Sequence, residues 1–264
     1  MAIPLHQLAA AIYLIAGLAA GLGLALPAAR LGRAAVWLLA AGALVHGACF
    51  ALLHRADLPP PLTNLPMAMS FTAWVGAVFF LLLLLRAKLA GLVVLVAPLI
   101  FLAVFFAALR LPAAGPATFS GSGSWPHAHV LLASGGFSML GVAGLAGVIF
   151  LIEHRRLKAK RRIPRRLPVP TLEALDRVNV AALVLGFPLL TLGVLTGVIW
   201  LSTESGKLWT ASPHETWSAL AWAVYAVLVT ARFGSRQGAR QAAVSAVGGF
   251  AFLLFAVVGV EILT

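Results

Sequence analysis

The sequence predicts an all-α polytopic membrane protein with eight transmembrane helices and both termini on the extracytoplasmic side. Of its 264 residues, 62% are apolar and only 10% are charged, whereas soluble domains carry about 25% charged residues. Long uncharged stretches recur along the chain, and the basic residues gather in alternate connections between them. This composition excludes an ordinary soluble enzyme, a disordered chain and a disulfide scaffold.

The candidate spans come from apolar stretches long enough to cross the hydrocarbon core, which takes about 20 residues. We expect one integral membrane domain over residues 1–264. The seventh stretch is short, so its predicted helix is extended outward to include Glu215 and Thr216. The eight predicted helices cover residues 8–26, 34–53, 67–85, 89–109, 130–152, 180–201, 215–231 and 241–260.

The orientation follows from the Lys and Arg residues, which are enriched in cytoplasmic loops. Connections 27–33, 86–88, 153–179 and 232–240 hold 16 of the 19 basic residues, and the other side holds Arg55, Arg110 and Lys207. This bias places both termini outside and the basic connections in the cytoplasm. The net charge of +12 then sets topology, and we expect the lipid bilayer, not nucleic acid, to be its partner.

The cytoplasmic loop 153–179 is the main basic feature, with nine Lys and Arg residues. One interpretation is a topology anchor lying against anionic lipid. The alternative is a docking site for an acidic partner. The glycines between 135 and 147 fit close helix contact. Pro188, inside the sixth predicted helix, is either a tolerated kink or the mark of a broken transporter helix.

The sequence lacks the motifs of several classes of enzyme. The single cysteine, Cys49, cannot form an internal disulfide, and without C-x-x-C the chain is not a thiol oxidoreductase. Zinc-protease, nucleotide-binding and serine-hydrolase patterns are also absent from the sequence. We therefore expect no independent catalytic activity.

The informative residues gather on the predicted outer side. His46 lies seven residues inside its predicted span, about 10 Å deep, where an ionisable side chain usually faces a cavity or a partner. His127 and His129 diverge by about 200° on a helix, and His129 is nearer the apolar run. His46 and His129 could together ligate haem iron between aromatic walls, although spacing does not show it. The alternative interpretation is purely structural: an aromatic belt at the membrane surface, with histidines hydrogen-bonded to water, among them His6 and His54.

The C-terminal third carries a resemblance. GFPLLTLGVLTGVIW at 186–200, then Trp209, then SPHETWSALAWAVYAVLVTAR at 212–232 resemble the core of the CcsA/CcmC cytochrome c assembly family. LVHGACFALL at 44–53, NLPMAMSF at 64–71 and HAHVLLASGGFSML at 127–140 resemble it more loosely. The size and the eight-helix plan are closest to its short HemX-like and YpjD-like members.

The resemblance implies a multi-pass protein of the bacterial inner (plasma) membrane that takes part in cytochrome c assembly and handles haem at the outer face. His46 and His129 would ligate the iron of a non-covalent haem b, and Trp209 and Trp217 would lie against the ring. Partners would be apocytochrome c or another assembly subunit. His214 would be a substitute ligand or a polar loop residue, because Ala211, Ser212, His214 and Thr230 stand where the family pattern has Trp, Asp, Lys and His.

Two other functions stay open at this stage. A HemX-like regulatory protein would influence tetrapyrrole synthesis through its basic loop and would make no catalytic use of haem. A small membrane transporter is the third candidate, but the near absence of charge within the spans argues against ion coupling.

Overall fold

The computed structural model describes residues 2–26, 28–54, 65–85, 89–110, 124–160 and 170–256. Within these ranges the chain is helical, without strands, as predicted. Eight α-helices follow one another, and a short 3₁₀ turn, Ala90–Leu92, precedes the fourth. They are α1 (Ala2–Ala25), α2 (Ala29–His54), α3 (Leu65–Leu84), α4 (Val93–Arg110), α5 (Ser124–Lys158), α6 (Leu172–Ser205), α7 (Pro213–Gly234) and α8 (Ala239–Leu254).

Each predicted helix has a counterpart, and the polytopic prediction is confirmed. In the described part of the chain, seven helices, α1 to α7, are long and apolar enough to cross a membrane. α8 is a shorter apolar helix of 16 residues. The end of its predicted span, 257–260, lies outside the described residues.

The observed helices extend beyond the uncharged stretches. α5 runs to Lys158 and α6 begins at Leu172, so much of the predicted loop 153–179 is helical where it is described. Thr171 caps α6, its hydroxyl accepting a hydrogen bond from the Ala174 amide at 3.2 Å. An uncharged stretch in the sequence marks only the part of a helix that lies in the hydrocarbon. The helix can continue beyond it, because its ends are stabilised by caps and by charged residues in contact with water. α6 is continuous through Pro188.

The helices fall into two compact units. Unit 1 contains α1 to α4, and unit 2 contains α5 to α8. In unit 1, α1 packs against α2 and α4, and α3 packs against α4 and α2. In unit 2, α5 packs against α6 and α8, and α7 packs against both α6 and α8. That residues 1–264 form one membrane domain stays a prediction.

Glycines bring the unit 2 helices into close contact. A Cβ added at Gly136 would lie 2.5 Å from the backbone nitrogen of Leu190, and one at Gly193 would lie 2.9 Å from the backbone of Ala133. On the other side of α5, Gly144 faces Phe250 and Gly147 faces the Ala243 carbonyl. Small residues therefore let α5 approach α6 and α8 closely, which is how helices associate in lipid.

Candidate functional site

The predicted site residues are divided between the two units. His46 lies on α2 in unit 1, whereas His129, Trp209, His214 and Trp217 belong to unit 2. The pairing of His46 with His129 stays a prediction.

His129 is half-buried near the start of α5, and its ring is oriented by α6. Its Nδ1 lies 2.8 Å from the Gly193 carbonyl oxygen. A carbonyl only accepts hydrogen bonds, so Nδ1 carries the proton and donates it. In the neutral ring this leaves a lone pair on Nε2. Iron-ligating and zinc-ligating histidines commonly have this arrangement, in which a backbone carbonyl fixes both tautomer and orientation.

The sequence of α6 explains how the ring fits there. A Cβ at Gly197 would lie 2.8 Å from His129 Nδ1, so only glycine leaves room for the imidazole at this position. Trp200, one turn further along α6, has its ring centroid 6.0 Å from that of His129. His127, two residues before His129, is exposed, in keeping with the expected divergence of the two side chains.

The connection between α6 and α7 is braced by its own polar residues. α6 ends at Ser205 and is followed by the capping residue Gly206, which adopts a left-handed conformation with φ 69°. The Ser212 hydroxyl caps α7 by accepting from the Glu215 amide at 3.3 Å. The Glu215 carboxylate accepts from both the backbone amide and the hydroxyl of Thr210. Ser212 therefore supplies a side-chain cap at the position where the family pattern has Asp, a residue type that also caps helices.

The three remaining predicted residues have different surroundings. Trp209 is 49% exposed in the connection between α6 and α7. His214 is exposed in the first turn of α7. Trp217 is half-buried, with its ring 5.2 Å from Phe255 and 6.0 Å from Phe252. Trp217 is therefore part of the packing between α7 and α8.

His46 is fully buried in unit 1, and both of its ring nitrogens have neighbours. Its Nε2 lies 2.8 Å from the Ser70 hydroxyl, and its Nδ1 lies 3.5 Å from the Tyr13 hydroxyl. Phe50 stacks on the ring, with centroids 5.1 Å apart. The same Ser70 hydroxyl oxygen also lies 2.8 Å from His6 Nε2. The other ring nitrogen of His6, Nδ1, is 2.8 Å from Cys49 Sγ.

Sequence reasoning missed most of this cluster. His6 was expected at the membrane surface before a helix beginning at residue 8, but α1 begins at Ala2 and His6 is fully buried. The error arose because the helix start was taken from hydropathy alone. A helical register would have indicated the buried face, since His6, Ala9 and Tyr13 follow one another at spacings of three and four. Ser70 and Cys49 carried no such signal.

The two units differ in how well they fit a haem group. His129 presents a lone pair on Nε2 and lies beside the Trp200 ring, which fits a ligand of haem iron. His46 has both nitrogens engaged and no exposed surface, which does not fit one without rearrangement. Among the described residues there is no cluster of three or more His, Cys, Asp or Glu side chains able to hold a metal ion.

In the residues that the structure describes, the fold and these side chains define a multi-pass, all-helical membrane protein, in which a half-buried histidine is oriented by the helix that leads into a braced connection. The sequence profile described as "Cytochrome C assembly protein" matches residues 62–264. The chain belongs to this family, and the CcsA/CcmC resemblance is confirmed. The match includes α3 to α8 and all four unit 2 site residues, but His46 and His6 precede it.

Curated relatives agree with this assignment. The chain is similar to "Cytochrome c biogenesis protein CcsA" of Chlamydomonas reinhardtii, with 30% identity over 212 residues, 77% of this chain and 58% of that protein. It is 27% identical to the protein of the same name from Guillardia theta over 77% of this chain and 74% of that protein. The Synechocystis protein is 32% identical over 47% of this chain and 36% of its own length. The chain thus spans little more than half of the Chlamydomonas relative.

Proposed function

We propose that this protein acts in cytochrome c assembly by holding a non-covalent haem b at the end of unit 2 that carries the connection between α6 and α7. The observation that carries the proposal is the hydrogen bond from His129 Nδ1 to the Gly193 carbonyl. It leaves Nε2 as the free donor atom of an oriented neutral imidazole. Family membership supports haem handling as the function of this site.

The residues of unit 2 have separate tasks in this proposal. His129 would hold the iron, and His214, an exposed imidazole in the first turn of α7 of the same unit, would be the second ligand. When bound, haem would supply an iron that histidine can ligate and a flat apolar ring. Trp209 covers the ring from the exposed connection, and Trp217 supports α7 from the side of α8.

His46 is the ligand that the resemblance pairs with His129. Its ring nitrogens are both engaged within unit 1, which favours His214 over His46 as the partner of His129. The two versions of the site differ in which substitution removes haem, so they can be separated by experiment.

The test is the absorption spectrum of protein purified after expression with ample haem. His129→Ala should abolish haem binding, and His214→Ala should shift the Soret band or lower haem retention. His127→Ala is the matched control, since it removes an exposed imidazole two residues away and should leave the spectrum unchanged. His46→Gln should also retain haem. Unchanged haem content in His129→Ala would overturn the proposal and favour the HemX-like regulatory alternative.

We place the connection between α6 and α7 outside and the basic end of α5 in the cytoplasm of a bacterial cell. Arg155, Arg156, Lys158 and Lys160 are exposed at that end, and such residues concentrate on the cytoplasmic side. Both termini would then face outward. Apocytochrome c or another assembly subunit would meet the haem at the outer face.

Cysteine labelling tests this orientation. In a Cys49→Ser background, Ser205→Cys should react with an impermeant reagent in intact cells, and Lys158→Cys should react only after lysis. The reverse pattern would place the His129 site on the cytoplasmic side and would exclude a role in presenting haem to apocytochrome c outside.

A further inference from the structure

The carbonyl oxygen that orients His129 has a second side-chain donor. Gly193 O accepts from His129 Nδ1 at 2.8 Å and from the Thr196 hydroxyl at 2.9 Å. An imidazole of α5 and a hydroxyl of α6 thus meet at a single oxygen atom. Thr196 has no task in the proposed haem site, although it contacts the same oxygen that fixes the tautomer of His129.

This oxygen has more donors than lone pairs. A carbonyl oxygen has two lone pairs, and in an α-helix the carbonyl of residue i also accepts the backbone amide of residue i+4. Gly193 lies inside α6, which continues to Ser205, so the helix assigns the Gly197 amide to the same atom. The imidazole, the hydroxyl and the amide therefore compete for two lone pairs, and each additional donor weakens the bonds made by the others.

The Thr196 hydroxyl has an alternative acceptor. Its oxygen also lies 2.8 Å from the Leu192 carbonyl oxygen, and a hydroxyl carries only one proton. Donation to Leu192 is the ordinary bond of a helical threonine to the preceding turn, whereas donation to Gly193 competes with His129. Thr196 therefore has two hydrogen-bonding states, and they differ in how strongly the Gly193 carbonyl binds the imidazole.

We propose, on the basis of the proposed haem function, that Thr196 is a positioning residue that sets how strongly His129 Nε2 donates to iron. A stronger hydrogen bond at one nitrogen of a ligating imidazole makes the other nitrogen more basic. When Thr196 donates to Gly193, the bond from His129 Nδ1 is weaker and Nε2 donates less electron density. Hydrogen bonding around the ligand is one of the properties by which a protein sets the reduction potential of haem.

A purely structural role of Thr196 has a different consequence. If the hydroxyl donates only to Leu192, it completes the hydrogen bonding of its own helical turn and has no effect on the imidazole. Removing the hydroxyl would then leave His129 unaltered. Thr196→Val separates the two roles, because valine keeps the β-branched shape of threonine and lacks its hydroxyl.

Proton and nitrogen-15 NMR of histidine-labelled, full-length protein in lipid bilayers without added haem measures the hydrogen bond itself. In Thr196→Val we expect the Nδ1 proton signal of His129 to move downfield, because a stronger N–H···O bond deshields the proton. Thr196→Ser, which keeps the hydroxyl, should restore the signal. The matched control is Thr230→Val, whose lost hydroxyl donates to the Ala226 carbonyl of α7 at 2.8 Å, and it should leave the signal in place. An unchanged signal in Thr196→Val would overturn the proposal.

The reduction potential of the haem-loaded protein is the second measurement. Thr196→Val should make the potential more negative, because a more basic imidazole favours the ferric iron, and Thr196→Ser should stay near the unaltered protein. An unchanged potential beside a shifted proton signal would overturn the step from hydrogen bond to iron. If none of the variants binds haem, the proposed function fails instead, and the NMR measurement still decides whether Thr196 acts on His129.

Discussion

The helices within unit 1 and the helices within unit 2 are joined by different kinds of contact. In unit 1, buried side chains join the helices, with Ser70 of α3 contacting histidines of both α1 and α2. The Trp74 indole also donates to the Ala43 carbonyl of α2 at 2.9 Å. In unit 2, glycines bring backbones together, and the closest of these approaches is Gly136 against Leu190.

The difference shows two ways in which helices can associate within a membrane. Lipid is as apolar as the helices, so helix association in a membrane depends on close packing and interhelical hydrogen bonds. Unit 1 uses its histidines for such bonds, which leaves both nitrogens of His46 engaged. In unit 2 glycines bring α5 close to α6, and the hydrogen bond from His129 to Gly193 between these two helices uses only one of the two ring nitrogens. The packing of each unit thus decides what its histidines can bind.

The largest expected effect is on the glycine contacts of unit 2. Gly136→Val would place a branched side chain where even a Cβ lies 2.5 Å from Leu190 N. We expect α5 and α6 to separate and stability to fall by about 3 kcal/mol. Thermal unfolding followed by circular dichroism measures this. Gly248→Ala is the control, because a Cβ there meets nothing within 4 Å. Equal melting temperatures would show that glycine contacts do not hold unit 2 together.

The two tryptophans of the haem site should separate packing from binding. Trp217→Ala should destabilise the protein by about 2 kcal/mol, because its half-buried ring packs on Phe252 and Phe255. Trp209→Ala should leave the melting temperature nearly unchanged but lower haem retention. Melting temperature and haem retention should both be measured for each variant, because together they separate a packing role from a binding role. If Trp209→Ala retains haem fully, its proposed contact with the ring is wrong.

The hydrogen bonds of unit 1 should contribute less than the glycine contacts of unit 2. Ser70→Ala leaves His6 Nε2 and His46 Nε2 without their shared partner. We expect a loss of about 1–2 kcal/mol, the upper range for interhelical hydrogen bonds in membranes. Ser70→Thr, which retains the hydroxyl, is the matched control in the same unfolding experiment. A loss larger than that of Gly136→Val would reverse the ranking of the two kinds of contact.

We expect the smallest losses of stability when the ion pairs made by residues of α6 are removed. Arg177 and Glu173 are both largely exposed and lie on one helix, so Arg177→Ala should change stability by about 0–0.5 kcal/mol. Arg232 of α7 instead contacts both Asp176 oxygens at 2.8 and 2.9 Å and is mostly buried. Arg232→Ala should cost about 1 kcal/mol. Similar melting temperatures for the two variants would show that this pair does not help to join α6 and α7.

Sequence reasoning predicted the class of fold and missed the ends of its helices. Apolar stretches located all eight helices, because lipid exposure demands long uninterrupted apolar runs. They misplaced the start of α1 and most of the predicted loop 153–179, because capping and solvated charges lie outside that criterion. Motif reasoning drew attention to His129 and the connection at 206–212, yet it treated Ser212 as a departure when it preserves a cap.

The sequence by itself determined an all-helical membrane protein, its family and the residues that differ from the family pattern, since composition and motifs are properties of the chain read in order. Only the tertiary structure decided that Gly193 and Gly197 orient His129, and that His46 shares Ser70 with His6. Those contacts join residues 24 to 64 positions apart. Their partners are chosen by how helices pack, and no local pattern in the sequence specifies that choice.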